Sequence, residues 1–181
     1  RRGLITSDNG ITINADNFEY NRTSNILNAS GNVIIEHSAK NYLIYTDEII
    51  FFKNDNIIRS QNNTKIIDND ERIINSSNCL YNINDNIFKA SKNVKVIDVL
   101  NNYVIISDDI TYFKNDENII SNGKTNSSIN SRYELQSEDI SYSFKTKIVS
   151  SKNKTSLKDK QTKTAYEITN FSLSLTEEIL K

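Results

Sequence analysis

The chain has 181 residues, with 22 basic against 23 acidic side chains and a net charge of −1, so its charge balance gives no case for a nucleic-acid partner. Hydrophobic residues make up 36% and mean hydropathy is −0.56, which points to an extended body with a thin interior. No apolar run approaches ~18 residues, so the sequence reads neither as membrane-spanning nor as carrying an intact signal peptide.

The length fits one domain or one elongated array. The chain begins Arg1-Arg2 and contains no methionine, as expected of a processed product or an excised piece. Asn, Ile, Lys and Ser dominate while Pro, Met and Trp are missing, the mark of an AT-rich genome. Sequon-like Asn28-Ala29-Ser30 and Asn63-Thr64-Lys65 therefore carry no weight.

Residues 1–10 read as a lead-in. From Ile11 to Ile35 two apolar-alternating segments flank the turn formers Asn21 to Asn25, a β-hairpin pattern. The pattern recurs. Asp16 is followed four residues later by Tyr20, and the same marker returns as Asp47 with Phe51, Ser77 with Tyr81, Asp108 with Tyr112, Glu138 with Tyr142, and Thr169 with Leu173. Successive markers stand 31, 30, 31, 30 and 31 residues apart.

Other columns keep this register. Three residues before the marker lie Ile13, Ile44, Ile74, Ile105, Leu135 and Tyr166; two after it lie Phe18, Ile49, Cys79, Ile110, Ile140 and Phe171. Eleven after it come Leu27, Ile58, Phe88, Ile119, Val149 and Leu180, and two further on only small side chains, Ala29, Ser60, Ala90, Ser121 and Ser151. Cys79 thus fills an apolar slot, and a lone cysteine forms no internal disulfide. Each unit supplies an outgoing and a returning strand joined by polar turns. Residues 11–181 are therefore expected to form an all-β, antiparallel meander of about 11 strands from about 5.5 repeats, with the sixth cut at Lys181. Residues 174–180 also carry a helix-capping pattern, but the repeat is the stronger signal.

Parity slips by one at Asp16-Asn17, since Ile11, Ile13 and Ala15 share one face while Phe18 and Tyr20 have the opposite parity. Gly31 lies about as far from the turn centre on the returning strand, and Asn62, Lys92 and Asn153 hold its place in later units. These positions are expected to form a crease at which the meander folds over into two packed layers, a V-shaped β-jellyroll. The marker acids Asp16, Asp47, Asp108 and Glu138 would cap backbone there rather than bind cations. Between the layers runs an apolar slot. In unit one it is lined by Ile13, Ala15, Phe18, Tyr20, Leu27, Ala29, Val33 and Ile35; further on by Ile44, Ile49, Phe51 and Ile58, then Ile74, Tyr81, Phe88, Ala90 and Val94, then Ile105, Ile110 and Tyr112, and last Leu135, Ile140 and Tyr142. The small column leaves width for an aliphatic chain, and the strand edges at each end invite a further sheet.

Catalytic and metal chemistry find little support. His37, the single histidine, sits in a polar inter-unit segment beside Glu36 and reads as a solvated surface residue. One Cys and one His do not complete a zinc site. The acidic run at 68–71 lacks the glycine and distal glutamate of a calcium loop and reads as a solvated turn. Four isolated glycines make no phosphate cradle, and no cofactor is expected.

Ile13-Asn14-Ala15-Asp16, Phe18-Glu19-Tyr20 and Leu27-Asn28-Ala29-Ser30-Gly31-Asn32-Val33-Ile34-Ile35 resemble the repeat unit of the organic-solvent-tolerance (OstA) domain, with Lys92-Asn93-Val94 the nearest later echo. The resemblance spans roughly residues 11 to 173. Within that family the chain is most similar to the N-terminal periplasmic domain of the outer-membrane lipopolysaccharide-assembly protein, and next to the soluble periplasmic bridge protein. It implies a non-enzymatic periplasmic jellyroll, open along one seam, that shields lipopolysaccharide acyl chains in its slot. It also implies end-to-end sheet-edge pairing with other jellyroll bridge proteins, and an outer-membrane β-barrel in the same chain after Lys181 or as a partner. Assembly-class members tie this domain to the barrel through cysteines, a role that the interior column of Cys79 does not suit. A filament or adhesin subunit with a filled core is the rival reading; a carbohydrate-binding or hydrolytic repeat ranks last, because the aromatics lie in inward columns.

Overall fold

A computed structural model of the chain describes residues 3–7, 10–68 and 72–176; Leu180 and residues 69–71 of the acidic run lie outside it. The strands are β1 (Gly3–Thr6), β2 (Ile11–Ala15), β3 (Asn17–Asn21), β4 (Ile26–His37), β5 (Tyr42–Phe52), β6 (Ile57–Asp68), β7 (Arg72–Asn82), β8 (Ile87–Asp98), β9 (Tyr103–Phe113), β10 (Asn118–Ile129), β11 (Tyr133–Ser137), β12 (Ser141–Ser143), β13 (Ile148–Ser151), β14 (Thr155–Asp159), β15 (Thr164–Ile168) and β16 (Phe171–Ser174). One 3-10 turn, Ser38–Lys40, interrupts them.

All pairings are antiparallel and join the strands into one open, 16-stranded sheet. The expected count of about 11 is recovered by joining β2 with β3, β11 with β12, β13 with β14 and β15 with β16, each pair being one creased strand. The additional strand is β1, which pairs residues of the lead-in with β2. Toward each end the long central strands give way to split ones: β2 and β3 lie against different halves of β4, and β11 and β12 against different halves of β10.

The crease is a column of β-bulges. Ladder pairing shifts between Ser30 and Val33, Gln61 and Thr64, Ser91 and Val94, and Asn122 and Thr125, so two residues there face one across the ladder. The extra residues take left-handed backbone: Gly31 and Asn32 at φ 78° and 49°, Asn62 and Asn63 at 63° and 47°, Lys92 and Asn93 at 64° and 55°, Gly123 at 82°. Such geometry falls most readily to Gly and Asn. The marker side chains tie the crease together rung by rung: Asn32 donates to Asp16 (2.7 Å), Asn63 to Asp47 (3.3 Å) and Asn93 to Ser77 (3.3 Å), while in the fifth rung Asn153 donates to Asp139 (2.9 Å). Of the marker acids, Asp16 and Asp47 thus accept from side-chain amides across the strand pair, where capping of backbone was expected.

At the opposite edge of each rung the turns stack. Residues in left-handed conformation, Asn25, Asn56, Asn86, Glu117 and Lys147, offer their carbonyls to the backbone N–H of Lys53, Ile83, Lys114, Phe144 and Leu175 in the next rung, at 2.8–3.2 Å. The inward columns of both layers interlock into one continuous core.

Candidate functional site

The site to be judged is the interior between the layers. Strand alternation delivers nearly all the expected lining residues to it: Ile13, Ala15, Leu27, Ala29, Val33 and Ile35 of the first rung are buried, and so are all those named in the later rungs. Two are not. Phe18 is half-buried and Tyr20 is 46% exposed, because β3 is paired only with β4 and no further rung covers it. Tyr166, in the column of Ile13, is 48% exposed at the other end.

Aromatic side chains run through the middle of the interior. Phe88, wholly buried, stacks on Tyr81 with centroids 4.2 Å apart and meets Tyr42 edge-on at 5.2 Å and Tyr112 at 6.1 Å. Phe144 continues the row, edge-on to Tyr112 at 5.6 Å and to Tyr142 at 4.7 Å. The middle of the interior is therefore packed with side chains. An apolar cavity of about 180 Å³ opens at the N-terminal end, between Ile5, Ile11, Ile13, Tyr20, Leu27 and Phe51, with Lys53 at its rim over the Tyr20 ring. It is about the size of engineered apolar cavities, ~150 Å³, that bind benzene.

The small column does not simply leave width. Beside the crease, rung two carries Thr46, Ser60 and Thr64, rung four Ser107, Ser121 and Thr125, and rung five Ser137, Ser151 and Thr155, each triad buried and hydrogen-bonded within itself. Contacts such as Ser60 to Thr64 (2.7 Å) and Thr125 to Ser121 (2.9 Å) satisfy hydroxyls that would otherwise be costly to bury. In rung one the same places hold Ala15, Ala29 and Val33. Sequence reasoning missed the triads; the signal was there, because hydroxyl residues occupy all three places together in rungs two, four and five, whereas rung three holds Ser76, Ala90 and Val94.

Away from the crease the layer ends meet in a seam, which side chains bridge. Lys40 donates to the Ile83 carbonyl (2.6 Å), Tyr112 to Asp68 (2.9 Å) and Tyr142 to Asp98 (2.7 Å). Both Tyr–Asp pairs span 44 residues, about one and a half units, so each bridge joins staggered rungs. Burial, with the neighbouring carboxylate, pushes the phenols of Tyr112 and Tyr142 well above their ordinary range and keeps them as neutral donors. Asp68, expected in a solvated turn, is buried here. His37, expected on the surface, is 2% exposed, hydrogen-bonded through Nδ1 to the Tyr42 hydroxyl at 2.9 Å. Both take inward positions at strand ends that the opposite layer covers. Cys79 is buried as expected, and burial pushes its thiol up to about 12, which leaves it unreactive.

Among the described residues no three His, Cys, Asp or Glu side chains converge to hold a metal. The arrangement offers apolar and aromatic walls, a hydroxylated crease and a charged rim. A family model described as OstA-like protein matches residues 8–164 of the chain. No curated protein matches it in sequence. Among solved structures, that of "LptH, the LptA homologous periplasmic component of the conserved lipopolysaccharide transport device from Pseudomonas aeruginosa" is 12% identical, covering 73% of this chain and 74% of that one, at a TM-score of 0.31. So loose a superposition carries no detail across.

Proposed function

The chain belongs to the OstA-like protein family, and from that premise we propose that it is a periplasmic, non-enzymatic component of lipopolysaccharide transport. It takes acyl chains between its layers, leaves the saccharide in water, and docks end to end with other jellyrolls in a bridge to the outer membrane. The observation that carries this reading is that, among the described residues, an inward column ends uncovered at each end of the array. Tyr20 and Tyr166 stand half exposed where their counterparts in the inner rungs are buried, and the strand edges beside them, β1 and β3 at one end and β15 and β16 at the other, have no outer partner among the described residues. An open edge next to an uncovered apolar column is what a further jellyroll would extend, in both hydrogen bonds and apolar surface. A β-barrel beyond Lys181 would make the chain the assembly protein's periplasmic domain; its absence would make it the soluble bridge.

A photo-crosslinking residue at Leu27 or Phe88 is expected to capture lipopolysaccharide in cells, and one at Asn84, exposed in a turn, is not. Equal labelling at interior and turn overturns the reading. The packed middle favours one rival, a filament or adhesin subunit with a filled core. That rival predicts self-association without lipid and no interior labelling.

A further inference from the structure

Three donors converge on one atom of the seam. The Tyr112 hydroxyl (2.9 Å), Arg72 Nη1 (3.5 Å) and Lys114 Nζ (3.7 Å) all address Oδ2 of Asp68. We propose that this convergence is an anion-binding site for the phosphorylated headgroup of an amphiphile whose chains lie in the interior, and that Asp68 holds the headgroup's place while the seam is shut. The inference rests on the lipid-carrying function proposed above.

The setting is amphiphilic on the scale of one headgroup. Arg72 lies over the Phe144 ring, its Cζ 4.1 Å from the centroid, and the Tyr112 ring packs between Phe88 and Phe144. The cations therefore stand where the aromatic wall reaches the rim. Their side chains are only 12% and 13% exposed, shielded enough for charge-assisted bonds to be strong. Arg72 also pairs with Glu117, whose side chain is 42% exposed, at 3.6 Å, and Tyr112 receives a second bond from Arg72 at 3.3 Å. A guanidinium, an ammonium and a phenol around one point form a donor set that a phosphate oxygen fills as well as a carboxylate oxygen does. The next rung supplies the contrast. Asp98 is met there by neutral donors, the Tyr142 hydroxyl and the backbone and side chain of Asn101. Cations in the Asp68 rung are thus an addition to a seam that an aspartate and a tyrosine already close.

Displacement of Asp68 by a headgroup would exchange one anion for another without leaving Arg72 or Lys114 buried and unpaired, the costly alternative. It would also release the Tyr112 bridge, so that occupancy and opening of this rung become one event.

The test is calorimetric titration of the whole chain in neutral detergent with lipopolysaccharide, with the same lipopolysaccharide stripped of phosphate, and with inorganic phosphate alone. Arg72→Gln/Lys114→Gln is expected to weaken binding of the phosphorylated lipid about tenfold or more and to leave the stripped lipid unchanged, as loss of one or two charge-assisted bonds implies. Asp68→Asn is expected to tighten the phosphorylated lipid, and inorganic phosphate to bind too weakly to compete. If the double variant does not fold, Arg72→Lys, which keeps the charge and loses the fork, is expected to give a smaller loss of the same selectivity. Equal weakening for both lipids, or weaker binding by Asp68→Asn, overturns the anion site and leaves a structural ion pair. Inorganic phosphate that binds as tightly as the lipid overturns the headgroup assignment. A wild-type chain that binds neither lipid overturns the lipid-carrying function, and the proposal with it.

Discussion

Gly31 and Gly123 make a controlled pair for asking what holds the crease. Both have left-handed backbone, φ 78° and 82°, and both stand beside a marker aspartate. A methyl on Gly123 would lie 3.6 Å from Asp108 Oδ2, an ordinary contact; on Gly31 it would lie 2.8 Å from Asp16 Oδ2 and 3.0 Å from Asp16 Cβ. The carboxylate has room to swing away only by giving up the 2.7 Å bond from Asn32, and the Cβ is fixed to the strand. Left-handed strain of about 1–2 kcal/mol, less the ~0.4–1 kcal/mol gained by restricting the unfolded chain, leaves about 1 kcal/mol for Gly123→Ala. Gly31→Ala adds an overpacking cost of roughly 1–3 kcal/mol. Urea unfolding followed by far-ultraviolet circular dichroism measures both, and a cycle with Asp16→Gly isolates the contact as a coupling of about 1–3 kcal/mol. Equal losses at the two glycines, or no coupling to Asp16, would refute the crease geometry.

Phe88→Ala, at the centre of the aromatic row, is expected to cost about 3–5 kcal/mol, read as a lowered thermal midpoint. Thr125→Val removes the hydroxyl contacts to Ser107 and Ser121, which keep backbone partners at Asp109 and Ile140, and is expected to cost about 0.5–1.5 kcal/mol in urea unfolding. The triple change Ser107→Ala, Ser121→Ala and Thr125→Val also takes the Ser121 acceptor from the Ile140 N–H (2.7 Å) and is expected to cost more than Thr125→Val alone. Asp159 is held down at about 2, first by its hydrogen bonds from Arg132. A depressed carboxylate adds stability that is present above the ordinary carboxylate range and fades as pH falls toward the folded value. Arg132→Gln is therefore expected to move the Asp159 carboxyl midpoint, followed by nuclear magnetic resonance, up toward 4, the model-peptide value being about 3.9.

The rung was legible because its two signals are set by backbone geometry. Period-two alternation must send Ile13, Ile44, Ile74, Ile105 and Leu135 to one side, and an alternation that slips at Asp16 must bulge or bend. What was not legible depends on how the layers lie on each other. The 44-residue stagger that sets Tyr112 against Asp68 and Tyr142 against Asp98 reflects the accumulated offset of two layers, which no column of one rung records. Hence Asp68 and His37, polar residues in polar company, read as solvated. Serine and threonine hid the hydroxyl triads for another reason: Ser60, Ser121 and Ser151 read as small side chains that leave width, and their hydroxyl partners lie in two other columns of the rung. Tyr20 and Phe18 stand less buried than their columns predict because end rungs obey the column and lack its neighbour.

The seam's stagger also bears on how long such a protein needs to be. Units of nearly equal length carry interchangeable ends: without residues 108–137, Glu138 would take the place of Asp108 and Tyr142 that of Tyr112, opposite Asp68. The array would lose two strand spacings of reach, roughly 9–10 Å, and keep that closure. Span across a gap can thus be set by copy number alone, one rung at a time, with no new interface to invent.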